Sequence, residues 1–234
     1  MDKQKFYVVG TPIGNMEDIT YRAVRVLGEV DLVLCEDTRV TKNLLNKYNI
    51  KTPTFSYPSD NLKPGVNKAN PKIEYILKQI EEGKTLALVS DAGTPTISDP
   101  GSVLVGKIKE AHPEVEIIAI PGPSAVISAL SISGLNVAEF TFLGFLPHKK
   151  GRETLFKEIA VSERVNVFYE SPHRIIKALE SLVKFAPDKK VTIARELTKV
   201  FEQMVSGTPA EVLQYFTVNS DKVRGEFVVL VSSK

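Results

Sequence analysis

The chain has one cysteine, Cys35, so no disulfide can form within it, and this fits a reducing cytosol. No apolar run is long enough to span a bilayer. The start, Met1-Asp2-Lys3-Gln4-Lys5, runs directly into a strand-like segment without the composition of a signal or transit peptide. A soluble, cytoplasmic protein is therefore expected, with no membrane partner. An excess of charge of one sign is also missing: Lys and Arg number 30 against 28 Asp and Glu, a net +2. Composition thus does not mark a nucleic-acid binder, and any basic face has to be local. The three histidines, His112, His148 and His173, have no metal-ligand spacing, so no metal is expected.

What is present is alternation. With 43% hydrophobic residues, 234 residues can bury one large core or two modest ones. Strand-like runs over Lys5 to Gly10, Asp31 to Glu36, Thr85 to Val89 and Val115 to Ile120 are separated by helical patterns over Asp18 to Leu27, Thr38 to Tyr48, Pro71 to Glu82 and Gly101 to Glu110. Lys51 to Asn70, with Pro53, Pro58 and Pro64, reads as a long connection holding at most a short strand. After Pro121 a second unit follows. Its helices cover Ser124 to Ser133 and Gly151 to Ser162, Phe140 to Phe145 forms an edge strand, and Val165 to Glu170, Val191 to Arg195 and Glu226 to Val231 are further strands. Ser171-Pro172 and Thr208-Pro209 both read as an N-cap followed by proline at the first helical position. The fold expected is α/β, with a mostly parallel N-terminal domain over 1–120, a mixed C-terminal domain over 121–234, and a ligand cleft between them.

Three loops following strands draw the attention: Gly10 to Asn15, Ser90 to Gly101 and Pro121 to Ala125. In an open parallel sheet, ligands bind beyond the carboxyl ends of the strands. Yet Gly10 to Gly14 lacks the G-x-G-x-x-G spacing and a following Lys-Ser/Thr pair, and Pro12 removes a backbone donor. Asp91, at the tip of the central strand, repels a polyphosphate but suits ribose hydroxyls or a cationic group. An adenosine with an amino-acid tail and no phosphate fits that chemistry, as in S-adenosylmethionine.

Motifs running from end to end narrow the choice. They are Thr11-Pro12-Ile13-Gly14-Asn15 with Glu17 to Thr20, Glu36-Asp37-Thr38-Arg39 with Thr41, Ser90 to Pro95, Ile97 to Gly101, Pro121 to Ala125 and Ser133-Gly134-Leu135. Gly144 to Pro147, Phe168 to Arg174 and Arg195 to Lys199 complete the series. On these residues the chain resembles the class III, tetrapyrrole-methylase-like family of S-adenosylmethionine methyltransferases, and within it the branch acting on small-subunit ribosomal RNA. The resemblance implies two α/β domains, S-adenosylmethionine folded into the cleft between them, a homodimer, and methyl transfer to the ribose 2′-hydroxyl of a cytidine in the decoding region of 16S rRNA. It implies cofactor contacts from Pro12, Gly14, Asp91, Ala92, Gly93, Thr94, Ser124 and Ala125, with Tyr169 and Ala194 at strand ends of the second domain. Two departures bear on RNA docking: the family's histidines are absent from Ser56 to Asn61, and the C-terminal extension many members have does not follow Lys234.

A ribose hydroxyl is a poor nucleophile until its proton is being removed, so a base belongs within hydrogen-bond reach. Asp37, Glu170 and Glu196 follow strand ends, each near a cation in sequence: Arg39, Arg174, and Arg195 or Lys199. In one reading the carboxylate accepts the proton while the cation holds a phosphate; in the other, Asp37 and Arg39 are a helix cap and a surface ion pair. His148-Lys149-Lys150-Gly151-Arg152 suits phosphate contacts or is simply solvated. Cys35 reads as core, and Phe140, Phe142 and Phe145 as core or dimer interface. The alternatives to an RNA methyltransferase are a methyltransferase of a small molecule or modified protein side chain, a dinucleotide oxidoreductase, and a binding module without catalysis.

Overall fold

Residue contacts in the computed structural model, which describes residues 4–57, 70–99 and 101–233, divide the chain into Met1–Ser124 and Ala125–Lys234. The first unit holds strands β1 (Lys5–Val9), β2 (Leu32–Cys35), β3 (Thr54–Ser56), β4 (Leu86–Leu88) and β5 (Glu116–Ile120), and helices α1 (Tyr21–Glu29), α2 (Thr38–Lys47), α3 (Pro71–Glu81) and α4 (Gly101–Ala111). The strands lie in the order β3-β2-β4-β1-β5 and every pairing is parallel. A parallel sheet needs both faces covered, and successive side chains point to opposite faces. Leu32, Leu34, Leu86 and Leu88 therefore pack on Ile76 and Ile80 of α3 and Leu104 and Ile108 of α4. Val33, Cys35 and Ala87 pack instead on Ala23 and Leu27 of α1 and Leu45 of α2. Cys35 is a core residue, its thiol proton held more tightly because it is buried.

One boundary shifts for a local reason. The helix expected from Asp18 is broken in two: Asn15 caps a 3-10 turn over Met16–Asp18, and Thr20 then caps α1, accepting the Ala23 N–H at 3.0 Å. Two competing caps five residues apart leave no continuous first turn. The connection expected over Lys51 to Asn70 contains β3; Pro58, Pro64 and the Ser59 to Asn61 stretch fall outside the described residues.

The second unit runs α5 (Ala125–Ile132), β6 (Phe140–Phe145), α6 (Arg152–Val161), β7 (Val165–Glu170), α7 (Ile175–Phe185), β8 (Lys190–Arg195), β9 (Gln203–Gly207), α8 (Pro209–Val218) and β10 (Phe227–Ser232). Its sheet is mixed, ordered β6-β7-β10-β8-β9, with β6 and β7 parallel and the other pairings antiparallel. Phe156, Phe168, Phe216 and Phe227 lie in the core that α6, α7 and α8 build on this sheet. Thr208 opens α8 through a full capping box with Glu211, as its motif predicts. Ser171-Pro172 does not open α7. A turn intervenes, the Ser171 carbonyl accepts the N–H groups of Arg174 and Ile175 at 3.0 Å, and the helix starts at Ile175. The side chain of Arg174 is drawn instead to Glu170 and the Leu146 carbonyl.

Candidate functional site

In the first unit, parallel strands bring the loops after β1, β2, β4 and β5 to one end of the sheet. The three loops singled out in the sequence are knitted together there. Thr11 and Gly93 exchange backbone hydrogen bonds of 2.9 and 3.1 Å, the Gly10 N–H donates to Ile120 at 3.0 Å, and the Thr94 hydroxyl donates to the Pro123 carbonyl at 3.2 Å. Gly10 and Gly122 approach so closely that a Cβ on either meets the other's backbone at 2.8 Å, so neither tolerates a side chain without movement. Gly93 takes a φ of 81°, and Thr96 and Ser98 follow at 74° and 63°, left-handed conformations that cost energy in non-glycine residues.

The ends of β2 and β4 are clamped reciprocally. The Asp37 N–H donates to the Asp91 carboxylate at 3.1 Å, and the Asp91 N–H bonds to the Glu36 carboxylate. Asp99 caps α4, accepting from Gly101 at 2.6 Å and from Thr96 at 2.7 Å. Burial, then Asp99 and Asp91, push Glu36 up to about 6, and burial raises Asp99 as well. Beside them Tyr57 is fully buried with an unpartnered hydroxyl whose proton is held tightly by burial and the same carboxylates. Three carboxylates at one strand-end mouth favour a cation over a phosphate. Glu36 was visible in the sequence only as part of a motif; its proton affinity comes from its burial and then from residues more than fifty positions away.

Asp37, by contrast, is committed to Arg39. Its carboxylate caps α2 and pairs with the guanidinium at 2.6 Å; those hydrogen bonds hold it down at about 2. The Arg39 side chain is 88% exposed, presenting a fixed cation to solvent.

In the second unit, the strand ends tell a different story. Glu170 is fully buried between Arg152 at 3.0 Å and Arg174 at 2.7 Å, and also accepts the Ser171 N–H. A carboxylate held between two cations acts as an anchor, a geometry that leaves Glu170 little reach toward a substrate proton. Arg152, taken up by Glu170 and the Pro147 carbonyl, leaves His148, Lys149 and Lys150 as the solvent-facing part of the basic cluster. Glu196 accepts from Lys199 at 3.0 Å and from the Glu226 N–H at 3.0 Å; burial alone raises its pKa, but these partners outweigh it and lower it. Lys199 also reaches Glu226 at 2.9 Å; burial works against its charge, yet the two carboxylates raise it.

Tyr169 and Ala194 flank Val228 on opposite sides of β10. Ala194 is fully buried, while the Tyr169 hydroxyl hydrogen-bonds the Val126 backbone in the first turn of α5, next to Ala125; burial raises its pKa. Phe142 and Phe145 of β6 pack against the Tyr169 ring at 5.1 and 5.3 Å. At the opposite end of these strands lies a groove of about 980 Å³, lined by Asn136, Glu139, Arg164, Lys190 and Ser232 among others, that holds none of the expected site residues. Among the described residues no cluster of His, Cys, Asp and Glu is arranged to hold a metal, and no helix is long and apolar enough to cross a membrane.

Comparison with known proteins meets this geometry from the other side. The family model described as tetrapyrrole (corrin/porphyrin) methylases matches residues 5–213. The ribosomal RNA small subunit methyltransferase I of Thermotoga maritima is 45% identical over 230 residues, covering 98% of this chain and 99% of that protein. The protein of the same name from Bacillus subtilis is 39% identical over 226 residues, covering 96% and 74%. Among solved structures, the methyltransferase CobJ matches with a TM-score of 0.66 at 21% identity, covering 98% of this chain and 94% of that one. Uroporphyrin-III-C-methyltransferase of Thermus thermophilus matches at 0.66 and 17%, covering 98% and 94%. At such identities these two speak for the fold alone. By sequence and by fold, the chain belongs to the tetrapyrrole (corrin/porphyrin) methylase family.

Proposed function

We propose that this protein transfers a methyl group from S-adenosylmethionine to the RNA of the small ribosomal subunit, at the ribose 2′-hydroxyl of a cytidine in the decoding region of 16S rRNA. The observation that carries the reading is the 45% identity, over nearly the whole of both chains, with a protein named as a methyltransferase of that RNA. The cytidine, the 2′-oxygen, the homodimeric form and the cytoplasmic setting rest on the family resemblance.

The residues of the first unit fit this cofactor. When bound, S-adenosylmethionine supplies a methyl group activated on a cationic sulfur. Glu36, Asp91 and Asp99 provide the negative surroundings a cation needs, and the knitted loops offer backbone and small side chains without a phosphate cradle. Pro12, Gly14, Asp91, Ala92, Gly93, Thr94, Ser124 and Ala125 hold it in this reading, and Tyr169 and Ala194 complete the set.

Methyl transfer releases the 2′-hydroxyl proton, which passes to water in this reading while the paired carboxylates do other work. Asp37, held at about 2, and Glu196, also lowered, are poorly matched to accepting a proton near neutrality, and Glu170 is sealed. Asp37 aims Arg39, whose exposed guanidinium is set to hold a phosphate, while Glu196 positions Lys199 and Glu170 anchors Arg152 and Arg174. Holding acceptor and donor in line then supplies most of the rate.

The test is transfer of labelled methyl from S-adenosylmethionine to small ribosomal subunits that lack this modification, followed by digestion to nucleosides. Label in 2′-O-methylcytidine is expected. Cofactor binding without label, on subunits that a known enzyme methylates, moves the function to a small-molecule or protein acceptor.

A further inference from the structure

Between β8 and β9 the chain carries Val200 and Phe201 out into solvent, Phe201 with 62% of its surface exposed. The loop that does so is firmly built. Glu196 and Thr198 take left-handed φ values of 51° and 65°, Leu197 is buried, and the N–H groups of Lys199 and Glu202 donate to Glu196 and Lys199 at 3.0 Å. The guanidinium of Arg195, 6% exposed, reaches two chain segments at once: it donates to the Phe201 carbonyl at 3.2 Å and to the Arg224 carbonyl at 3.3 Å. One buried side chain thereby fixes the backbone beneath both residues, and the Arg224 guanidinium lies 5.9 Å from the centre of the Phe201 ring.

An exposed aromatic ring beside a planar cation is suited to few partners. Val200 beside the ring is also exposed, but the neighbours Glu202, Arg224 and Glu226 are exposed and charged and break up the apolar surface that joining protein chains needs. A nucleobase fits better, because each base has a π face to stack and carries a phosphate for the cation. The position agrees. Register places Arg195 and Glu170 on either side of Phe227, so this loop shares its end of the sheet with the turn after β7, and the loop bearing the exposed Lys149 and Lys150 follows β6 at the same end.

We propose that Phe201 and Arg224 form a stacking site for an unpaired base of the RNA substrate, with Arg195 as the positioning residue that holds them together. The proposal rests on the RNA reading above and adds to it the residues that grip the strand.

The experiment titrates full-length protein with a fluorescein-labelled single-stranded oligoribonucleotide of decoding-region sequence at several salt concentrations. Phe201→Ala is expected to weaken binding about 5- to 150-fold with the salt slope unchanged, as loss of a stacked base does. Phe201→Trp keeps the affinity, and Arg224→Ala lowers both the affinity and the slope, the slope by about 0.7. S-adenosylmethionine affinity and melting temperature stay at wild-type values in all three. Wild-type RNA affinity in Phe201→Ala, in a protein that methylates subunits, overturns the stacking site and leaves the function intact. A changed sedimentation coefficient with unchanged RNA affinity assigns the ring to a second copy of the chain and overturns it too. Absence of RNA binding in the wild type removes both readings.

Discussion

The two units handle carboxylates at their strand ends in opposite ways. In the first, Glu36, Asp91 and Asp99 face one another with backbone N–H groups as partners; burial raises the pKa of both Glu36 and Asp99, and the charges of Asp99 and Asp91 add to it at Glu36. In the second, Glu170, Glu196 and Glu226 are neutralised by Arg152, Arg174 and Lys199, while Lys149, Lys150 and Arg224 remain at the surface. Apart from the Asp37–Arg39 pair at its rim, the first mouth is short of cations and suits a cationic ligand, whereas one whose anions are already paired can offer its spare cations to a polyanion. The same topological position, the end of a sheet, is thus tuned to opposite charge by which residues follow the strands.

The largest effect expected from breaking this contrast lies in the second unit. Glu170→Gln leaves two partly buried guanidinium groups without their anion and should destabilise the protein by up to about 3 kcal/mol in urea unfolding; a loss under about 1 kcal/mol contradicts the anchor. Next comes Asp91→Ala, which removes the acceptor of the Asp37 N–H and a charge from the mouth. It should weaken S-adenosylmethionine binding by about 1.5–3 kcal/mol in calorimetry with little change in melting.

A smaller effect concerns pH. Glu36 rises from 4.5 to about 6 on folding, so its contribution to stability is complete below 4.5 and is lost as pH rises through 6. The amount is at most about 2 kcal/mol before solvent screening reduces it. Glu36→Gln should therefore raise the melting temperature of the free protein at pH 7.5 and leave it nearly unchanged at pH 4.5. Cofactor binding favours the ionised form, so wild-type affinity should climb between pH 5 and 7 and that of Glu36→Gln should stay flat. The smallest change belongs to Lys149→Ala with Lys150→Ala: a fall of about 1.5 in the salt slope of RNA binding, at unchanged cofactor affinity.

Much of the first unit was legible because its signals are local. Apolar runs end abruptly in Gly10-Thr11-Pro12, Ser90-Asp91-Ala92 and Pro121-Gly122-Pro123, and a parallel sheet gathers such ends without further instruction. Strand β9 was not legible: Gln203-Met204-Val205-Ser206-Gly207 has no clean alternation, and it is a strand because β8 gives it a ladder to pair with. Ser171-Pro172 carried a helix-start signal that Glu170 overrode by drawing Arg174 across the turn. The site's electrostatics were hidden for a related reason. Glu36 owes its raised pKa to burial and to carboxylates far away in sequence, Glu170 is held by Arg152 from another element as well as by Arg174 one turn on, and the link from Arg195 to both Phe201 and Arg224 exists only once β8 and β10 are paired.

The division of labour by charge is tested most directly by measuring two affinities, for S-adenosylmethionine and for decoding-region RNA, on the same two variants. Asp91→Ala should lose cofactor affinity and keep that for RNA, and Lys149→Ala with Lys150→Ala should do the reverse. If either variant loses both affinities while its melting curve is unchanged, the two strand ends do not serve separate ligands and the assignment of a cationic cofactor to one and a polyanion to the other is wrong.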